Sequence, residues 1–222
     1  MRGQKVKRRF AVLEKRRGRG YIEAIMSFWK KDEEEPEKRF LVKGVMTIPY
    51  LICAGYILYA AYRYAAVEEN GDYSSLFYVI HGPIHEVGHF FFSSRIFPEF
   101  LHVFAGSLFQ WLAPIGAGVQ FLRNREYPAV AVALGWLGLS LLDTMVYMRD
   151  AAELKLPLVS PFSGGGEIIH DWNYLFDAMG LLEQSKLIAA ITGTIGWTLA
   201  GIAALWILYM CGRGIADFFS RR

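Results

Sequence analysis

Five apolar stretches, residues 44–65, 73–97, 101–122, 129–148 and 187–210, take up most of the chain beyond its first forty residues. A helix needs roughly twenty apolar residues to cross a bilayer, and each stretch has about that length. With 54% hydrophobic, 15% aromatic and only 20% charged residues in 222, the chain is too apolar for an ordinary soluble domain. The expected fold is all-α: a polytopic membrane helical bundle of four to five transmembrane helices. The third stretch holds Gly106, Gln110, Pro114, Gly116 and Gly118, a poor composition for a straight helix. It is expected to be broken or re-entrant, a form tolerated where protein covers the backbone.

Charge is distributed unevenly. Lys5, Lys7, Arg8, Arg9, Lys15, Arg16, Arg17, Arg19, Lys30, Lys31, Lys38, Arg39 and Lys43 crowd the start, although the net charge is only +3. Residues 1–39 read as a cytoplasmic basic segment with a short amphipathic helix around Ile22, Ile25, Met26, Phe28 and Trp29, and residues 40–222 as the membrane-embedded domain. A nucleic-acid arm would also be basic, but Glu33, Glu34, Glu35 and Glu37 interrupt the charge and no nucleic-acid fold follows. No short apolar core with a small-residue cleavage site follows the basic start, so the first span is expected to act as an uncleaved anchor in the cell membrane. The positive-inside rule favours four full spans plus the re-entrant third stretch, with five full spans as the alternative. The former keeps Arg123, Arg125 and the basic C-terminus inside and brings the start of the second span and residues 151–184 to the same outer side. Cys53 and Cys211 lie far apart in apolar stretches and read as small hydrophobes.

The second apolar stretch carries His85-Glu86-Val87-Gly88-His89, an H-E-x-x-H pentapeptide. On a helix its histidines stand one turn apart on one face, where both imidazoles can reach one zinc ion, and the glutamate can serve a water as general base. Ionisable groups at bilayer depth are expensive and mark function. His81, one turn before His85, extends the same face as a support for a ligand histidine or as an alternative ligand, and Gly88 thins the helix for a close neighbour.

Catalytic zinc takes three protein ligands and leaves a position open. Outside the second stretch only His102 and His170 remain among the five histidines. His170, in a Gly-rich turn at a predicted helix start, is the first candidate. Asp171 competes with it, with helix capping or support of a ligand histidine as its other roles. Asp143 and Asp150 follow behind; Asp143 also reads as a partner for a polar group on a neighbouring helix. His102 reads as an interfacial histidine, and Trp111, Tyr127, Trp172 and Tyr174 as interface-belt aromatics.

An H-E-x-G-H in a membrane helix, followed by a distant aspartate near a later helix, resembles the site-2 protease family of intramembrane zinc metalloproteases. The resemblance implies Zn2+ held by His85, His89 and a downstream aspartate, Glu86 activating water, and a membrane protein or peptide as substrate. No Asp-Gly motif follows downstream, so His170-Asp171-Trp172 stands in its place. Two other readings keep the metal and change its use. One is a metal- or haem-binding transporter or electron carrier without hydrolytic activity; the other is a membrane zinc hydrolase of lipid-like substrates.

Overall fold

A computed structural model of the protein describes residues 44–70, 78–93, 95–156 and 170–220. The basic segment 1–39 and the Gly-rich turn before His170 lie outside these. Among the described residues every element is helical: α1 (Gly44–Asn70), α2 (Tyr78–Phe91), α3 (Glu99–Arg123), α4 (Tyr127–Asp150), α5 (Asp171–Met179), a single 3-10 turn at Leu182–Gln184, and α6 (Ser185–Ser220). Among the described residues, three segments are long and apolar enough to cross a membrane, namely Glu99–Arg123, Tyr127–Asp150 and Leu182–Ala216. Their outward faces, such as Leu187, Ile191, Ile195, Ile202 and Leu205 on α6, are exposed apolar side chains. A helix that is apolar all round needs an apolar solvent on its free side, consistent with a membrane protein.

The third apolar stretch corrects an expectation. Residues 99–123 form one continuous helix of 25 residues straight through Pro114, about 37 Å long at the α-helical rise. Proline removes one backbone donor, but Pro114 is buried and α3 is flanked by α2 and α4, so packing holds the helix where composition alone would break it. The second stretch departs in the opposite sense. Among the described residues its helix spans 14, about 21 Å against the roughly 30 Å of a hydrocarbon core.

The bundle is centred on α4, which is buried on most sides and packs most extensively against α6. A Cβ on Gly138 would sit 2.8 Å from both the Gly196 carbonyl oxygen and the Ala200 nitrogen, and one on Gly196 would sit 2.9 Å from the Gly138 oxygen. The two backbones therefore touch, the small-residue contact that lets helices associate where lipid offers no hydrophobic drive. Of the α6 glycines, Gly193 meets Met145 and Gly196 meets Gly138, while Gly201 faces open space. Ala54, Ile57, Ala60, Ala61 and Tyr64 of α1 complete this core against α4 and α6.

Contacts order the helix ends. Cys211 of α6 reaches the Thr47 carbonyl of α1 at 3.9 Å, which sets the start of α1 beside the end of α6. The short connection between α3 and α4, with Arg125, turns at the same end, because α4 runs antiparallel to α6, Gly135 meeting Ala203 and Gly193 meeting Met145. At the other end, Asn173 of α5 donates to the Ala151 carbonyl just after α4 at 2.8 Å. α2 starts beside the middle of α4, where Trp136 and Ser140 meet His81, and runs toward the α5 end.

Candidate metal centre

α2 brings its small and polar face against α3. A Cβ on Gly88 would collide with the Ala105 carbonyl oxygen, so only glycine allows the helices to lie this close. Gly106 does the same from the α3 side, since its Cβ would fall 2.6 Å from Nε2 of both His85 and His89. The missing side chain leaves the space into which both imidazoles turn.

The third group arrives from α5. His170 is the N-cap: its Nδ1 accepts from the Asn173 amide at 3.2 Å, so Asp171 becomes the first helical residue. Trp172, Leu175 and Phe176, at helical spacing, bury the inner face of α5, and Gly180 closes it in the left-handed conformation at φ 67°. Anchored this way, Asp171 sets Oδ2 2.7 Å from His85 Nε2 and 3.2 Å from His89 Nε2, while the two Nε2 atoms stand 3.0 Å apart. Among the described residues these three form the group of donor atoms close enough to hold one metal ion. Their separations approach the edge of a zinc tetrahedron, about 3.3 Å for bonds of 2.0–2.1 Å.

Hydrogen bonding decides which atoms face the centre. His89 Nδ1 lies 2.9 Å from the His102 carbonyl oxygen, which only accepts, so this nitrogen carries the proton. His85 Nδ1 lies 3.3 Å from Gln110 Oε1 and likewise donates. The Gln110 amide cannot be reversed, because its nitrogen donates to the Asp143 carboxylate. With both Nδ1 atoms committed outward, two neutral Nε2 lone pairs and a carboxylate oxygen point at one another. Three acceptors this close repel unless a cation sits among them, and a single shared proton satisfies only one of the three contacts. The donor set, two imidazoles and a carboxylate, is one that zinc accepts.

His170, the first candidate for the third position, points elsewhere. Its Nε2 faces Asp150 Oδ2 at 3.4 Å, and its ring lies on Tyr147 with centroids 4.2 Å apart. Burial pushes its pKa down against the pull of Asp150 and Asp171. Asp150 itself accepts from the Lys155 and Leu156 amides at 2.9 and 3.0 Å, closing the turn after α4. His81 is wholly buried one turn below the pair and meets Trp136, Ser140 and Asp143 instead. His102 ties the end of α2 to α3, its Nδ1 donating to the His89 and Phe92 carbonyls at 3.0 Å each. Glu86 is half-buried and near enough to act electrostatically on His89 and Tyr147.

Trp172 is a core residue rather than a belt aromatic: it is buried, donates to Ser107 Oγ at 3.1 Å, and stacks among Phe104, Trp111 and Phe176. Tyr147, which accepts from the Asp171 amide at 3.1 Å, and Gln110 carry no motif and were not singled out by spacing as site residues. The signal that could have found Gln110 is a lone amide inside an apolar stretch. No protein-family model matches the chain, and neither a curated protein nor a solved structure shows significant similarity to it.

Proposed function

We propose that the protein is an intramembrane zinc-dependent endopeptidase that hydrolyses peptide bonds of membrane-embedded substrates. The observation that carries this reading is the convergence of His85, His89 and Asp171 with every imidazole donor turned away from the centre. Zinc at these three groups would supply Lewis acidity, polarising a carbonyl and easing the loss of a proton from water.

The chain's own residues supply the rest. Glu86, beside His85 on the same helix, accepts the proton of the attacking water and returns it to the amide nitrogen as the C–N bond breaks, leaving a carboxylic acid and an amine. Gly106 keeps the face opposite the imidazoles clear of side chain.

The positive-inside rule assigns the basic start of the chain, Arg123, Arg125 and Arg213 to the cytoplasmic side of the cell membrane. The chain is then multi-pass, and α2 lies in the outer half as a partial crossing that carries the metal centre. Purified protein should contain one zinc per chain and cleave a membrane-spanning peptide in detergent or vesicles, and Glu86→Gln should retain the zinc and lose cleavage. A Glu86→Gln variant that still cleaves overturns the mechanism. Wild-type protein that binds metal and cleaves no peptide turns the reading to a non-hydrolytic metal carrier or a hydrolase of lipid-like substrates.

A further inference from the structure

Four helices converge on a second polar cluster that contributes no ligand to the metal centre. His81, Gln110, Ser140 and Asp143 are all buried, His81 and Ser140 completely. Ionisable groups in such surroundings persist where they have a use.

The hydrogen bonds fix a direction through this cluster. The Trp136 indole can only donate, and it lies 3.1 Å from His81 Nε2, so that nitrogen accepts. The His81 proton therefore sits on Nδ1, 3.4 Å from Asp143 Oδ2. Tyr64 donates to Asp143 Oδ1 at 3.2 Å. Donors thus surround the Asp143 carboxylate, and the Gln110 amide nitrogen is one of them. Turning that nitrogen toward Asp143 leaves Gln110 Oε1 facing His85 Nδ1 at 3.3 Å.

We infer that Asp143 is a positioning residue of the metal centre, acting through Gln110 to hold His85 as the Nδ1–H tautomer with its Nε2 lone pair aimed between His89 and Asp171. The inference rests on the metal reading above and extends it to residues that touch no metal. His89 has a backbone carbonyl for the same purpose, whereas His85 depends on a side-chain amide, and an amide oriented by nothing could present either end. The Asp143 carboxylate removes that freedom. Outer hydrogen-bond partners of this kind orient ligand imidazoles and raise their basicity.

The test uses the full chain in detergent, with zinc affinity measured by chelator competition and the site probed by the visible spectrum of its cobalt(II) form. Gln110→Met keeps the volume and removes the acceptor, and is expected to weaken zinc binding by about 10–100-fold and to alter the cobalt bands. Asp143→Asn lets the Gln110 amide face either way and is expected to shift both readouts in the same direction by less. Imidazole nitrogen NMR of the zinc-loaded protein should find the His85 proton on Nδ1 in the wild type and an altered Nδ1 signal in Gln110→Met. A merely structural role would lower thermal stability and leave the cobalt bands and the Nδ1 signal unchanged. If both variants bind zinc within twofold of wild type with unchanged cobalt bands, the inference is overturned and the metal centre stands. If the wild type itself binds neither metal, the proposed function falls and the inference falls with it.

Discussion

His85 and His89 present Nε2 atoms to each other at 3.0 Å while each Nδ1 donates away from the pair. That mutual orientation is unfavourable for two neutral rings and favourable for two ligands of one cation. Folding of the bundle therefore assembles the imidazoles in advance, and on the proposed reading a divalent ion would relieve a repulsion already present.

The first consequence concerns stability. A ligand that binds only the folded state stabilises it by RT ln(1 + [L]/Kd), about 2.7 kcal/mol at a hundredfold excess over Kd. Zinc is expected to raise the thermal midpoint of the wild type by an amount that grows with its concentration. His89→Ala and Asp171→Ala should abolish the rise, and 1,10-phenanthroline should reverse it in the wild type. A wild-type midpoint indifferent to zinc and to chelator would contradict the site.

Gly106 offers a sharper probe, because its hydrogen stands where a methyl group would strike both imidazoles at 2.6 Å. Gly106→Ala is expected to cut zinc affinity by at least tenfold, about 1.4 kcal/mol of binding. Gly116→Ala, on the same helix with nothing within 4 Å of the added carbon, should leave zinc binding unchanged. Isothermal titration of the two variants checks the contrast; equal affinities would show that the imidazoles do not need this space.

His170 and Asp171 were competing candidates for the third position, and their geometry separates them. His170 caps α5, so His170→Asn should preserve the cap, since asparagine is a strong capping residue. Zinc content after purification should persist in His170→Asn and be lost in Asp171→Ala. The reverse pattern would return His170 to the ligand set.

How much of this was legible in the sequence follows from what kind of signal each residue carries. His85, Glu86 and His89 belong to a local motif whose spacing is itself the geometry, so one turn of helix delivers it. Asp171 was readable only as one of two neighbours, because the choice between it and His170 depends on which residue caps α5, and capping is decided by tertiary anchoring of Trp172 and Phe176. Gln110 and Asp143 stand 33 residues apart and meet only when α3 packs on α4. Gly106 reads in the sequence as a helix breaker, yet in the fold it belongs to an unbroken helix and leaves the space that both imidazoles occupy. Gly138, which meets Gly196 across the two helices, had no local signature.

Close packing of α4 on α6 supplies the next expectation. Gly196→Val adds three carbons where the nearest atom to a Cβ is the Gly138 carbonyl oxygen at 2.9 Å. Overpacking a tight contact costs about 1–3 kcal/mol, and this contact involves two backbones that cannot rotate aside. Gly201→Val, facing open space on the same helix, should cost far less. Comparing denaturation midpoints of the two variants in the same detergent decides the matter.

Acid sensitivity should trace to the polar turn after α4. Glu153 lies 2.8 Å from Lys155 Nζ and 2.6 Å from Lys186 Nζ, and these ammonium groups hold its carboxyl down at about 2 from an ordinary 4.5. A depressed carboxyl contributes its stabilisation in full above the unfolded value near 4.5 and loses it as pH falls toward the folded value near 2. Both lysine side chains are largely exposed and Glu153 is partly so, and salt therefore screens the effect and its size is small. Lys186→Gln is expected to raise the Glu153 pKa and flatten the stability loss between pH 4.5 and 2, with no change at neutral pH beyond the lost pair. Carboxyl carbon NMR titration of Glu153 in wild type and variant, at low and high salt, measures it directly; an unshifted titration in the variant would mean that Lys186 does not hold the carboxylate in solution.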